Sequence, residues 1–112
     1  MKLREIVREL SLTVSAGKAG LDREVVGGYA ADLLSCAMAG AHPGQVWLTL
    51  QGHLNVVAIA SLNELSGVIV TEDKPISPET LAKADEEHIP ILTTSKTTFE
   101  VAGLLWTLGL RI

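Results

Sequence analysis

The chain has 112 residues, 13 Asp plus Glu against 9 Lys plus Arg, and a formal charge of -4; it lacks a basic run able to neutralise a nucleic-acid backbone, and DNA or RNA binding is excluded as an expectation. This length suits one domain, residues 1–112, with its own core, and the lone Cys36 offers no internal disulfide. Although 47% of the residues are hydrophobic, no uninterrupted apolar run reaches membrane-spanning length and charges fill the first ten positions, so no signal peptide, no membrane partner and a cytoplasmic address are expected.

In chain order, Leu3, Ile6, Val7 and Leu10 recur at helical spacing opposite Lys2, Arg4, Glu5, Arg8 and Glu9, which predicts an opening amphipathic helix. An extended piece is expected at Leu12–Ser15, a strand at Glu24–Ala30, and a short helix from Leu33 to Ala39, ended by Gly40 and the turn His42-Pro43-Gly44. Val46–Leu50, Gly67–Thr71 and Pro90–Thr94 are nearly continuous apolar runs, the pattern of strands covered on both faces. Helical patterns separate them. Leu54, Val57, Ala58, Ser61, Leu62 and Leu65 form one stripe; Ser77 and Pro78 read as the cap and first position of the next helix; Thr97-Thr98-Phe99-Glu100 reads as a capping box opening the last, which Gly109 closes. The fold class that follows is α/β: a single-domain sandwich with a mainly parallel sheet flanked by helices, ending in a β-α-β-α-β-α part.

In such sheets ligands collect at the carboxyl ends of parallel strands, where helix N-termini point backbone N–H groups at an anion. Three connectors qualify: Thr49 to Asn55, Thr71 to Ser77 and Thr93 to Thr98. The candidate ligand-binding residues are Thr49, Gln51, Gly52, His53 and Asn55 from the first, Thr71 from the second, and Thr93, Thr94, Ser95 and Lys96 from the third. A nucleotide or phosphorylated metabolite is the ligand class that these hydroxyl, amide and lysine donors suit. No cofactor and no metal are implied, because His42, His53, His88 and Cys36 share no ligand spacing.

From DREVVGGYAADLLS through PGQVWLTLQGHLNVVAIAS and GVIVTEDKPISPETL to IPILTTSKTTFEVAGLL, the chain resembles the DRTGG domain, a small α/β module found in some phosphotransacetylases, in pyrophosphatases with paired CBS domains, and alone. The resemblance implies a regulatory or accessory role, a homodimer, and a larger enzyme or regulatory partner. The family's Asp-Arg and Thr-Gly-Gly lie at two strand ends. This chain has Gln51-Gly52-His53 at the first and Thr71-Glu72-Asp73 at the second, so Thr71 alone carries over and neither an arginine contact nor a glycine-lined approach is implied.

LDREVVGGY, residues 21–29, only echoes that motif. Adjacent Gly27 and Gly28 lack the spaced pattern of a phosphate loop and predict a bulge or a close backbone approach, with Asp22 and Arg23 as turn residues. Cys36 is expected buried among Leu34, Ala37 and Met38, Trp47 and Trp106 packed unless one of them serves a dimer contact, His53 capping a helix or facing solvent, and Asp85-Glu86-Glu87 on a solvated helix face. No nucleophile, acid–base pair or metal constellation marks an enzyme. Two readings stay open: a non-catalytic regulatory module binding a small anion at the strand ends, and a structural dimerisation or protein-interaction module with no small-molecule ligand.

Overall fold

Unbroken apolar runs become central strands because water reaches neither face. In the computed structural model, which describes residues 1–112, the strands are β1 (Thr13–Ala16), β2 (Gly27–Ala30), β3 (Gln45–Thr49), β4 (Gly67–Val70) and β5 (Ile91–Thr93). Their spatial order is β1-β5-β4-β3-β2; β2 to β5 are mutually parallel and β1 pairs antiparallel with β5. The mainly parallel α/β sandwich expected from the sequence is therefore the observed fold.

The helices are α1 (Leu3–Leu10), α2 (Leu34–Gly40), α3 (Asn55–Leu62), α4 (Pro78–Glu87) and α5 (Thr98–Thr107). Alternate strand residues face opposite layers. Trp47, Val68, Val70 and Ile91 pack with Ala37 of α2, Val56, Val57 and Ala60 of α3 and Ala84 of α4. Val46, Leu48, Ile69 and Leu92 pack with Leu3, Ile6 and Leu10 of α1 and Val101 and Leu105 of α5. The successive crossovers thus put three helices on one face of the sheet, leaving the first and last helices to cover the other. No helix is long and apolar enough to cross a membrane.

Helix starts follow their local signals. Ser77 Oγ accepts from the Thr80 N–H and Thr97 Oγ from the Glu100 N–H, each satisfying a donor that has no partner inside its helix. The expected strand at Glu24–Ala30 is shorter than predicted. Glu24 makes an isolated bridge with Lys2, and the Val25 and Val26 N–H groups donate to Met1 and Gly44, so regular pairing begins only at Gly27. The close approach expected of the glycine pair is present: a Cβ on Gly27 would overlap the Ile112 carbonyl, and the Gly28 N–H donates to that same oxygen at 3.0 Å.

Four further expectations change. Cys36 is exposed, because α2 turns Ala37 and part of Leu34 inward and shows Ser35, Cys36, Met38 and Ala39 to solvent. Trp47 is fully buried, its indole N–H donating to the Ala31 carbonyl at 2.8 Å, whereas Trp106 is 58% exposed on the outer face of α5. Arg23 is more than a turn residue, its guanidinium donating to the carbonyls of Leu65 and His88 at 2.9 and 3.0 Å. Asp85 accepts from the Gly17 N–H at 2.7 Å and so anchors the end of β1, while Glu86 and Glu87 remain surface partners of Lys83.

Candidate functional site

Because β3, β4 and β5 run the same way, their C-terminal connectors emerge on one rim, and backbone bonds tie them together. The Glu72 N–H donates to the Lys96 carbonyl at 3.0 Å and the Asp73 N–H to the Thr94 carbonyl at 3.1 Å, joining the second connector to the third. The Gly52 carbonyl accepts from the Ser77 N–H at 3.2 Å and from the Thr80 hydroxyl at 2.9 Å, joining the first to the second. Gly52 also needs its missing side chain, since a Cβ there would overlap the Pro75 carbonyl.

Most side chains of the rim bond within their own connector or to the element beside it. Thr49 is fully buried; its hydroxyl accepts from the Gln51 N–H at 3.1 Å and donates toward Asp32 Oδ1 at 3.4 Å. Thr71 is also fully buried and shares a 2.6 Å hydroxyl–hydroxyl bond with Thr98. His53 is exposed and its Nδ1 accepts from the Asn55 N–H at 3.1 Å, the capping role expected of it. Gln51 is half-buried, Asn55 and Ser95 are exposed, and Thr94 Oγ1 accepts from the Lys96 N–H at 3.2 Å. Two of the predicted residues turn away from the others. Thr93 bonds Ser15 of β1 at 3.0 Å, and Lys96 Nζ donates to the Leu10 carbonyl at the end of α1, also at 3.0 Å.

Two carboxylates absent from the sequence-derived set complete the rim. Asp32, from the β2–α2 connection, accepts from the Leu50 N–H at 2.8 Å. Glu72 accepts from the Thr98 N–H at 3.3 Å, at the first residue of α5. One backbone donor after β3, at Leu50, and one at the start of α5, at Thr98, are therefore met by negative side chains of the chain itself. Glu72 and Asp73 stand where the Thr-Gly-Gly pattern has glycines, and both hold left-handed backbone, φ 61° and 54°. That conformation is one that glycine adopts more readily than other residues. Asp32 and Glu72 were not legible in advance, since each reaches a backbone donor 18 or 26 residues away.

Neither of the two concave features of the surface lies on this rim. One, of about 480 Å³, sits at the opposite, N-terminal ends of the strands between Arg23, Glu24, Ser61, Glu64, Ser66 and Glu87. The other, of about 170 Å³ and mostly apolar, lies between β2 and the outer side of α5.

A three-layer sandwich with four parallel strands, one antiparallel edge strand and helices on both faces is the architecture of a small α/β domain. The chain belongs to the DRTGG domain family, whose pattern it matches over residues 5–108. Among solved structures it is similar to the CBS and DRTGG domains of the regulatory region of Clostridium perfringens pyrophosphatase, complexed with the activator diadenosine tetraphosphate. That likeness has a TM-score of 0.71 at 17% identity and covers 93% of this chain but 45% of the other. At that identity the likeness establishes the fold, and this chain spans less than half the length of the solved one. No curated protein matches the chain.

Proposed function

We propose that the chain is a non-catalytic regulatory or accessory module that works by association, with a second copy of itself and with a larger enzyme or regulatory partner. The observation that carries this reading is the pair of carboxylates on the rim. Asp32 and Glu72 take the Leu50 and Thr98 N–H groups, and the Lys96 ammonium is drawn off to the Leu10 carbonyl. Apolar side chains left on the outside of α5 supply the complementary property, a surface suited to protein contact.

A ligand at the rim is the second reading. It is favoured by the convergence of all three connectors on one edge and by the nucleotide activator held in the regulatory region of the similar pyrophosphatase. On this reading Thr49, Gln51, Gly52, His53, Asn55, Thr71, Thr94 and Ser95 frame an adenine nucleotide or phosphorylated metabolite, the carboxylates of Asp32 and Glu72 swing aside to admit it, and Lys96 and Thr93 join only if they leave Leu10 and Ser15.

Thermal unfolding in the presence of AMP, ATP, diadenosine tetraphosphate and inorganic phosphate separates the two. A ligand of the folded state raises apparent stability in proportion to the logarithm of its concentration. Association without a ligand gives a midpoint that rises with protein concentration and is indifferent to all four compounds; a concentration-dependent shift with any nucleotide establishes the second reading instead.

A further inference from the structure

Helix α5 carries two apolar stripes and the protomer covers only one. Val101 and Leu105 are buried against the sheet. On the opposite side, at spacings of three, four and seven residues, come Phe99, Ala102, Gly103 and Trp106, all exposed. Phe99 is 90% exposed, the most open of the large apolar side chains, and Trp106 is 58% exposed. Glu100 and Thr107 apart, the exposed side of α5 is apolar, and an apolar helix face belongs in an interior, so it calls for a cover.

The order of residues on that face says what covers it. Large Phe99 and large Trp106 flank the small pair Ala102 and Gly103, and the midpoint of the stripe falls between the two small residues. Turned end for end about that midpoint, the stripe superposes on itself in size. The geometry points to a two-fold interface in which α5 packs antiparallel on α5 of a second copy, each Phe99 entering the apolar cleft beside Trp106 of the other. This inference rests on the association reading above and specifies which surface associates.

Three features fit that occupant. The cleft lined by Gly28, Tyr29, Ala102, Trp106 and Leu110 measures about 170 Å³, and an apolar cavity of about 150 Å³ accepts a benzene ring. Its aromatic wall is held in place, because Arg111 lies 5.3 Å from the Trp106 ring centroid and its Nε donates to the Trp106 carbonyl at 3.2 Å. At the crossing point, a Cβ on Gly103 would have nothing within 4 Å, so the protomer itself makes no use of that glycine; a neighbouring backbone approaching closely does.

The two aromatic side chains supply part of the area a dimer needs. Aromatic side chains cover roughly 150–250 Å² each, so Phe99 and Trp106 expose about 300 Å² per copy. Counted on both copies that is about 600 Å² of the roughly 1,600 Å² in a standard interface, before the flanking residues of β2 and the C-terminal tail are added. Antiparallel pairing also sets the positive end of one helix dipole beside the negative end of the other.

Sedimentation of the whole chain across the micromolar range, with Phe99→Glu and Trp106→Glu beside the parent, tests the interface. The parent is expected to be dimeric and each variant to dissociate roughly 30-fold or more readily. Far-UV circular dichroism of the variants should remain that of the parent, since neither side chain is buried in the protomer. In a Cys36→Ser background, Ala102→Cys should link two copies on mild oxidation, and Leu62→Cys, exposed on the far side of the sheet, should not. A dimer indifferent to Phe99→Glu, or linked through Leu62→Cys, overturns this interface and leaves the association reading standing. A parent that stays monomeric throughout the range overturns self-association altogether.

Discussion

The carboxylate of Glu72 lies 3.3 Å from the backbone nitrogen of Thr98, placing the chain's own negative charge at the N-terminus of α5. Nearby, the Thr71 and Thr98 hydroxyls meet at 2.6 Å, so the strand-end threonine shared with the family pattern serves to dock a helix onto β4. At the start of α5 the chain's own carboxylate takes a donor that would otherwise serve an anion.

Removing that charge has a defined outcome. Glu72→Gln should lower stability by about 0.3–1 kcal/mol, the worth of an anion beside a helix N-terminus, read as a lower urea midpoint at unchanged slope. Glu72→Ala also removes the acceptor, leaving the Thr98 N–H free to donate to an external anion, so sulfate or phosphate should stabilise Glu72→Ala more than the parent.

Asp73 tests the backbone instead of the charge. Its φ of 54° is a conformation that costs L-residues energy and glycine very little. Asp73→Gly should match or exceed the parent by up to about 1 kcal/mol, whereas the β-branched Asp73→Val should lose about 1–2 kcal/mol. Equilibrium urea unfolding of the two variants gives both numbers.

Gly52 is the joint between the first and second connectors. Gly52→Ala forces the new Cβ into the Pro75 carbonyl, and backbone must move to relieve it. A loss of about 1–3 kcal/mol is expected, as for other overpacked sites. Faster amide exchange at Ser77, whose N–H donates to Gly52, would place the damage at this joint.

Two surface groups give the stability profile weak limbs at opposite extremes of pH. The Asp22 carboxyl is held below its ordinary 3.8 by the hydrogen bond and charge of Arg4, so its contribution is present above 3.8 and fades as pH falls through the lowered value. Lys83 is raised above its ordinary 10.5 by the hydrogen bond to Glu87 and the charges of Glu86 and Glu87; its contribution is present below 10.5 and fades as pH rises through the raised value. Asp22→Asn should flatten the acid limb and Lys83→Met the alkaline one. Both effects should be small and shrink in high salt, because all these groups face solvent.

The sequence by itself determined the parallel strands and the helix starts. The apolar runs from Val46, Gly67 and Pro90 each became a strand, and Ser77 and Thr97 cap helices as their spacing requires, because periodicity and capping act between residues a few positions apart. Tertiary structure decided what depends on which partner arrives. Cys36 and Ala37 are adjacent and both small, and only the packing of α2 turned Ala37 inward. With Phe99 and Trp106 as apolar as Val101 and Leu105, α5 had no single greasy side to reveal its inner face, and contact with the sheet chose it. Asp32 and Glu72 reach backbone donors 18 and 26 residues away, and such contacts exist only once the chain has closed on itself.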